Sequence, residues 1–223
     1  MNIDPSSCWH DPRFVARFGA SDLAAPLRHL HWPDCGDTVR RDMLLLLAGA
    51  VARNGVEGAV AEVGIRQGMT AEALLAALPA RQFVLIDTLC GFTREDLAAE
   101  MAATGQKVCQ PFAPDPRATR RLLERVAKRP NIRLIQTDVA DLEGCDLNEQ
   151  NYALVHIDVD LWRPVSAALA YFGTRMQAGG YIAVHDYNAW PGARMATDEF
   201  MATGLAKGFV PMPDKSGTGV ILF

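Results

Sequence analysis

An apolar run that ends in two carboxylates stands at Tyr152–Trp162 (YALVHIDVDLW). A continuous run of this length is typical of a central strand in a parallel sheet that is covered on both faces. Ligands of open α/β sheets bind beyond the carboxyl ends of the strands, where Asp158 and Asp160 are expected. A second run, Gly180–Tyr187 (GYIAVHDY), ends in a His-Asp pair. Two such strand ends predict a ligand site rather than solvated loop acids.

Strand and helix patterns alternate along the rest of the chain. The predicted helices are Asp37–Asn54, Met69–Leu78, Arg94–Thr104, Arg117–Arg129, Pro164–Phe172 and one that starts near Pro191–Gly192. The other predicted elements are the strands Ala59–Val63, Gln82–Asp87 and Ile132–Asp138, the turn Gln177–Gly180, the strand Tyr181–Asp186, and a hairpin of Phe209–Met212 with Gly219–Phe223. This order predicts a doubly wound α/β domain over residues 37–223, with a mostly parallel, seven-stranded Rossmann-like sheet that ends in an antiparallel hairpin.

The segment before this domain has a different composition. Residues 1–36 contain many Pro, Asp, His and Trp residues without a clear period, so we expect an N-terminal lid or leader. In the first predicted helix of the domain, Arg40 and Arg41 are expected to mark one face.

Composition excludes several classes of protein. The net charge of −4 and the absence of a basic run argue against nucleic-acid binding. The five cysteines are scattered, without a CxxC pair, which argues against a zinc site or a disulfide framework. The start of the chain lacks the pattern of a signal peptide, and the longest apolar run, Met43–Ala50, is too short to span a bilayer. We therefore expect a cytoplasmic protein without membrane contact. The first predicted helix of the domain and the exposed aromatic residues suggest a possible homodimer.

A glycine-bounded turn, Gly64–Gly68, joins a predicted strand to a helix. Such a turn lets a ligand approach backbone N–H groups at the positive end of the helix dipole. It matches neither GxGxxG nor a phosphate loop. Glu62 suits a ligand ammonium group, which favours the zwitterionic tail of S-adenosylmethionine (SAM). Asp87 suits ribose hydroxyls, and Asp138 either contacts adenine or caps the following turn.

Four segments together resemble the macrocin O-methyltransferase family of SAM-dependent, metal-assisted sugar O-methyltransferases. They are GAVAEVGIRQG, IDTLCGF, HIDVDLW and HDYNAWPGARMATDEF, and the resemblance covers about residues 37–223. It implies that Asp158 and Asp186 bind a metal and that Asp160 is the general base. The predicted cofactor-binding residues are Glu62, Gly64, Gly68, Met69, Thr70, Asp87, Thr88, Asp138 and Asp158.

The chain departs from the family pattern at three places. His185 stands where the family has the first Asp of a pair, Val159 replaces a Gly, and Arg66-Gln67 replaces a Trp-Arg pair. His185 is assigned to both the catalytic and the metal-binding set, but the roles of ligand, metal-free proton acceptor and buried structural residue all stay open. A histidine ligand favours Mn²⁺, Fe²⁺ or Zn²⁺ more than an all-carboxylate site would, and Mg²⁺ is the expectation otherwise.

Electrostatics supports a cation at this site. Neighbouring carboxylates repel one another by about 3–4 kcal/mol per close pair at an effective dielectric constant of about 20. Without compensation, one of them is expected to bind a proton. A divalent cation removes the repulsion and lowers the pKa of a weakly acidic hydroxyl, so that Asp160 can take its proton.

The expected function is methyl transfer from SAM to a hydroxyl of a sugar or polyol on a small-molecule natural product. Two alternatives stay open. One is a catechol-type O-methyltransferase that acts on a vicinal aromatic diol. The other is a SAM-binding protein without transferase activity.

Overall fold

A computed structural model of the chain describes residues 37–108, 115–145, 147 and 151–223. The helices are α1 Thr38–Arg53, α2 Met69–Ala77, α3 Arg94–Thr104, α4 Pro116–Val126, α5 Trp162–Gly173 and α6 Pro191–Ala202, with a 3₁₀ helix at Val139–Gly144. The strands are β1 Ala59–Val63, β2 Phe83–Asp87, β3 Ile132–Gln136, β4 Tyr152–Ile157, β5 Met176–Val184, β6 Gly208–Pro211 and β7 Gly219–Leu222.

The seven strands form one sheet in the order β3-β2-β1-β4-β5-β7-β6. The first five strands are parallel to one another, and β7 pairs antiparallel with β5 and β6. Helices α1 and α2 pack on one face, and α5 and α6 pack on the other. The predicted doubly wound fold with a terminal hairpin is confirmed.

Strand β4 lies between β1 and β5, and all its residues are buried. The strand ends lie in register, because Val63 pairs with Ile157 and Ile157 pairs with Val184. The residues that follow these strand ends therefore emerge side by side at one edge of the sheet. This register brings the glycine turn close to the loop after β4, which carries Asp158 and Asp160, and to the loop after β5, which carries His185 and Asp186. We call these two segments the first and the second acidic loop.

The predicted turn Gln177–Gly180 is wrong, because these residues belong to β5. Tyr152 and Leu154 of β4, two residues apart, pair with Met176 and Tyr181, five residues apart, so β5 bulges between them. Gly179 accommodates the bulge with a φ of +83°, a conformation that a side chain disfavours. The glycine pair thus marks an irregularity inside a strand and not its beginning.

Other boundaries differ slightly from the prediction. Strand β4 ends at Ile157 and Trp162 begins α5, so both carboxylates of the central run lie in the loop between them. Strand β3 ends at Gln136, before Asp138.

Three sequence-based expectations concern the N-terminal segment, the assembly and the location of the protein. The predicted lid or leader, residues 1–36, lies outside the described residues, and the homodimer and the cytoplasmic location stay predictions. None of the helices in the described part of the chain has both the length and the apolar character needed to cross a lipid bilayer.

Candidate active site

A cavity of about 520 Å³ opens at the carboxyl edge of the parallel strands. This volume is in the range of small-molecule and cofactor sites. The predicted site residues that line it are Glu62, Gly64, Met69, Thr70, Asp87, Thr88, Asp138, Asp158, Asp160, His185 and Asp186. The residues that depart from the family pattern, Arg66, Gln67 and Val159, line it as well.

Gly64 allows the glycine turn to lie directly against the end of β4. Its φ is +86°, and a Cβ there would overlap the carbonyl oxygen of Asp158. The amide of Asp158 donates to the carbonyl of Val63 at 2.8 Å, which continues the ladder between the two strands. A side chain at position 64 would therefore separate the turn from the acidic loop.

Gly68 has a packing role. It caps the start of α2 with a φ of 76°, and its amide donates to the carbonyl of Ile65 at 2.8 Å. A Cβ there would lie 2.5 Å from Leu122 Cδ1. Within the described part of the chain, Gly68 is not among the residues that line the cavity. Its assignment to the cofactor site gains no support from this position.

Asp87 organises the two loops beside it. Its Oδ2 accepts hydrogen bonds from the amides of Ile65 at 2.7 Å and Arg66 at 3.1 Å, and its Oδ1 accepts one from Leu89 at 2.7 Å. Each carboxylate oxygen can accept more than one hydrogen bond. The carboxylate therefore shapes the glycine turn and still has acceptor capacity for a ligand.

Glu62 is a buried acid at the cavity, with 2% of its surface exposed. Burial raises its pKa well above the usual value, with a further contribution from the charge of Asp158. Its Oε1 contacts His156 Nδ1 at 3.1 Å, and burial lowers the pKa of His156 to about 3, so that ring is neutral. Glu62 Oε2 has no hydrogen-bond partner among the described residues. This oxygen is available to a cationic ligand group.

Asp138 caps the 3₁₀ helix, since its Oδ1 accepts from the amide of Ala140 at 2.9 Å. Its Oδ2 also pairs with Arg163 Nη1 at 3.0 Å, and the same nitrogen lies 2.6 Å from Asp96 Oδ1. Of the two predicted roles, the capping role is confirmed. The adenine contact stays a prediction.

Asp158, His185 and Asp186 meet in the wall of the cavity, with one ligand atom from each lying within 4.8 Å of the others. His185 Nδ1 lies 3.0 Å from Asp158 Oδ1 and 3.1 Å from Asp186 Oδ2. The sequence reasoning therefore grouped these three residues correctly. We call them the acidic triad.

Arg40 is the side chain at this centre that the sequence reasoning missed. It comes from the first turn of α1, is 6% exposed, and lines the cavity. Its Nη2 donates to Asp158 Oδ2 at 2.6 Å, and its Nη1 lies 3.0 Å from His185 Nε2. Arg41, in contrast, pairs with Asp42 and is partly exposed, so the two arginines do not share a face. A positively charged side chain in the first turn of a helix interacts unfavourably with the helix dipole. The position of Arg40 in the sequence therefore indicated that its side chain pairs with an acidic group outside the helix.

The protonation of His185 depends on the carboxylates that contact its Nδ1 and on Arg40, which contacts its Nε2. Burial lowers its pKa, but the charge of Asp158 and the hydrogen bonds to both carboxylates outweigh burial and raise the pKa to about 10. A doubly protonated ring, however, would place its Nε2–H against an N–H of Arg40. The contact with Arg40 Nη1 at 3.0 Å is a hydrogen bond only when Nε2 carries a lone pair, which is the tautomer that donates from Nδ1.

Asp160 holds a proton in this arrangement. Burial raises its pKa to about 9, and the hydrogen bond with Asp186 and the charge of Asp158 add to the effect. Both Asp160 and Asp186 adopt left-handed backbone conformations, with φ of 60° and 59°. Such strain is found preferentially at functional sites. Arg40 and the proton on Asp160 therefore offset negative charge at this site, and the expected protonation of one carboxylate falls on Asp160.

Glu100 lies at the first turns of α5 and α6, the helices that follow the acidic loops, and was also missed. It is fully buried, and its Oε2 accepts a hydrogen bond from the amide of Trp162 at the start of α5. A Cβ at Gly192, in the first turn of α6, would overlap the same carboxylate oxygen. Gly192, which belongs to the segment HDYNAWPGARMATDEF, therefore makes room for the side chain of Glu100.

A sequence profile of the family described as macrocin O-methyltransferase (TylF) matches residues 28–217. The chain belongs to the macrocin O-methyltransferase family. It is thus a SAM-dependent O-methyltransferase, and the alternative of a silent SAM-binding protein is disfavoured. No curated protein sequence gives a significant match.

Solved methyltransferase structures share the fold. The O-methyltransferase NovP superposes with a TM-score of 0.68 at 20% identity, covering 82% of this chain and 79% of NovP. The calicheamicin methyltransferase CalS11 superposes with a TM-score of 0.65 at 20% identity, covering 100% of this chain and 95% of CalS11. The SAH-bound methyltransferase PaMTH1 of Podospora anserina has a TM-score of 0.54 at 13% identity, with 100% and 97% of the two chains covered.

Gly64→Ala tests the close packing of the glycine turn on β4. We expect it to lower the free energy of unfolding by roughly 2–4 kcal/mol and to weaken binding of S-adenosylhomocysteine, because the added Cβ overlaps backbone atoms. Gly55→Ala is the matched control, since Gly55 also has a positive φ but a Cβ there would meet nothing within 4 Å. It should cost only about 1–2 kcal/mol and leave binding unchanged. Urea unfolding and calorimetric titration measure both quantities, and equal effects of the two variants would contradict the packing argument.

Proposed function

We propose that this enzyme methylates a hydroxyl of a sugar or polyol on a small-molecule natural product, with a divalent cation at the acidic triad and Asp160 as general base. One observation carries the proposal. A single cavity is lined both by the glycine turn and the acids expected to bind SAM and by the acidic triad with Asp160. A methyl donor and an acceptor could therefore bind in the same cavity.

The donor end suits SAM. The unpartnered Oε2 of Glu62 fits the ammonium group of the methionine tail. The remaining acceptor capacity of Asp87 fits ribose hydroxyls, and Asp138 and Val139, which also line the cavity, would contact the base. Gly64, Met69, Thr70 and Thr88 would complete the binding surface for SAM. When bound, SAM supplies a methyl group on a positively charged sulfur.

The acidic triad fits a divalent cation. Its three residues offer one histidine nitrogen and two carboxylate oxygens that lie within 4.8 Å of one another, and such ligands suit a divalent ion. When bound, the cation would lower the pKa of an acceptor hydroxyl and offset the negative charge that adds to the effect of burial on the pKa of Asp160.

Two observations support Asp160 as the general base. It lines the cavity together with the triad, and a hydrogen bond joins its carboxyl group to Asp186. Once ionised, it can accept the proton of the acceptor hydroxyl. Its left-handed backbone is also of the kind that is found preferentially at functional sites.

A sugar acceptor is supported by the family and by one structural neighbour. CalS11 is described as a TDP-rhamnose 3'-O-methyltransferase, and it covers this chain over its whole length. The net charge of −4 is also consistent with a small-molecule acceptor rather than a nucleic acid.

An acceptor screen tests the substrate class. Nucleotide sugars, glycosylated natural products and catechols are incubated with the enzyme and isotopically labelled SAM, and methylated products are identified by mass spectrometry. We expect methylation of sugar hydroxyls and none of catechols. Methylation of catechols alone would replace the sugar assignment by the catechol alternative.

Removal of divalent ions tests the metal. After dialysis against a chelator, we expect turnover to fall to background and to return on addition of Mg²⁺ or Mn²⁺, because the acceptor hydroxyl is otherwise too weakly acidic. Binding of S-adenosylhomocysteine should persist and shows that the chelated protein is folded. Full turnover at a metal content below one ion per ten chains would rule out the metal.

Asp160→Asn tests the base. Asparagine tolerates the left-handed conformation at this position, so the fold should be kept. We expect kcat to fall about 10²–10⁴-fold while the dissociation constant of SAM is unchanged. Asp141→Asn is the control, because Asp141 is exposed and is not among the described residues that line the cavity. A kcat within threefold of the wild type for Asp160→Asn would assign the proton transfer to another group.

A further inference from the structure

The guanidinium group of Arg40 is hydrogen-bonded to two of the three residues proposed to bind the metal. We propose that Arg40 is an internal counterion that competes with the divalent cation for the acidic triad and thereby sets the affinity of the site for metal. The inference rests on the metal site of the proposed function. It concerns a residue on α1, outside the four motif segments.

The position of Arg40 is fixed from outside the triad. Asp37 caps α1 by accepting a hydrogen bond from the amide of Arg40 at 3.1 Å. The other oxygen of Asp37 accepts one from the amide of Lys215 at 3.0 Å, in the turn between β6 and β7. The start of α1 is thus held on the hairpin, and the arginine side chain reaches the triad from there.

The first conflict is between Arg40 and a cation bound to Asp158, because Arg40 already contacts that carboxylate. Arg40 Nη2 lies 2.6 Å from Asp158 Oδ2, within a largely buried ion pair. A cation bound to Asp158 would be brought close to the positive charge of Arg40, and like charges at such distances repel strongly in a poorly solvated site. The side chain of Arg40 therefore either moves away from Asp158 or weakens the binding of the cation.

The histidine ring makes the second conflict, whichever nitrogen binds the metal. The contact of Arg40 Nη1 with His185 Nε2 needs a lone pair on Nε2, which leaves the proton on Nδ1. A metal on Nδ1 would move that proton to Nε2, where it would oppose the N–H of Arg40. A metal on Nε2 would take the position of Arg40 Nη1 itself. In both cases metal and arginine exclude each other at this ring.

Manganese binding to the purified full-length protein, measured by the loss of the electron paramagnetic resonance signal of free Mn²⁺, tests the inference. Arg40→Met removes the charge without adding a metal ligand, and Arg41→Met is the matched control on the same helix, since Arg41 pairs with Asp42. We expect Arg40→Met to bind Mn²⁺ at least tenfold more tightly than the wild type and Arg41→Met to bind within twofold of it. The thermal stabilisation by Mn²⁺ should also be larger in Arg40→Met, since the cation replaces the lost counterion.

The outcomes separate this inference from the proposed metal site. Equal or weaker Mn²⁺ binding by Arg40→Met, with binding by the wild type, would overturn the competition and leave the metal site standing. Binding by Arg40→Met alone would support the competition and reject a metal in the native enzyme. No binding by any variant would reject both. If Arg40→Met does not fold, Arg40→Lys keeps a charge but loses the two-pronged contact, and we expect it to bind Mn²⁺ more tightly than the wild type.

Discussion

The burial of negative charge at adjacent strand ends is the constraint on which the rest of this structure depends. Parallel pairing of β1, β4 and β5 brings Glu62, Asp158 and Asp186 to one edge of the sheet, where solvation is poor. Ionised groups in such surroundings need partners. Arg40 supplies one positive charge, and Asp160 holds a proton that it shares with Asp186. The centre therefore has compensating groups of its own, and it also presents three atoms that could bind a cation.

Backbone strain is concentrated in the loops at the same edge. The non-glycine residues with positive φ in the described part of the chain are Arg66, Leu89, Asp160 and Asp186, and all line the cavity. Neighbouring elements hold these conformations. Glu100 caps α5 after the first acidic loop, and the amide of Asn188 donates to carbonyls of the β6–β7 turn after the second. The scaffold thus stabilises conformations that the loops would not adopt alone.

The glycines show how far a sequence signal can be interpreted. Gly64, Gly68 and Gly179 all have a positive φ, a conformation that glycine adopts more readily than other residues. Their purposes differ, because Gly64 permits contact between two loops, Gly68 packs on Leu122, and Gly179 sits in a bulge. The difference depends on what lies opposite each glycine, and local sequence does not contain that information.

The sequence by itself determined the order of strands and helices, the hairpin and the grouping of Asp158, His185 and Asp186, since apolar periodicity and strand ends are local patterns. It also determined the family, because four motifs stand in order along one chain. Only the tertiary structure decided that Arg40 reaches the triad, that Glu100 caps α5 and that Asp87 accepts hydrogen bonds from backbone amides. These contacts join residues far apart in the chain, 118 positions apart for Arg40 and Asp158. Their partners are set by the packing of helices on the sheet, which no local pattern specifies.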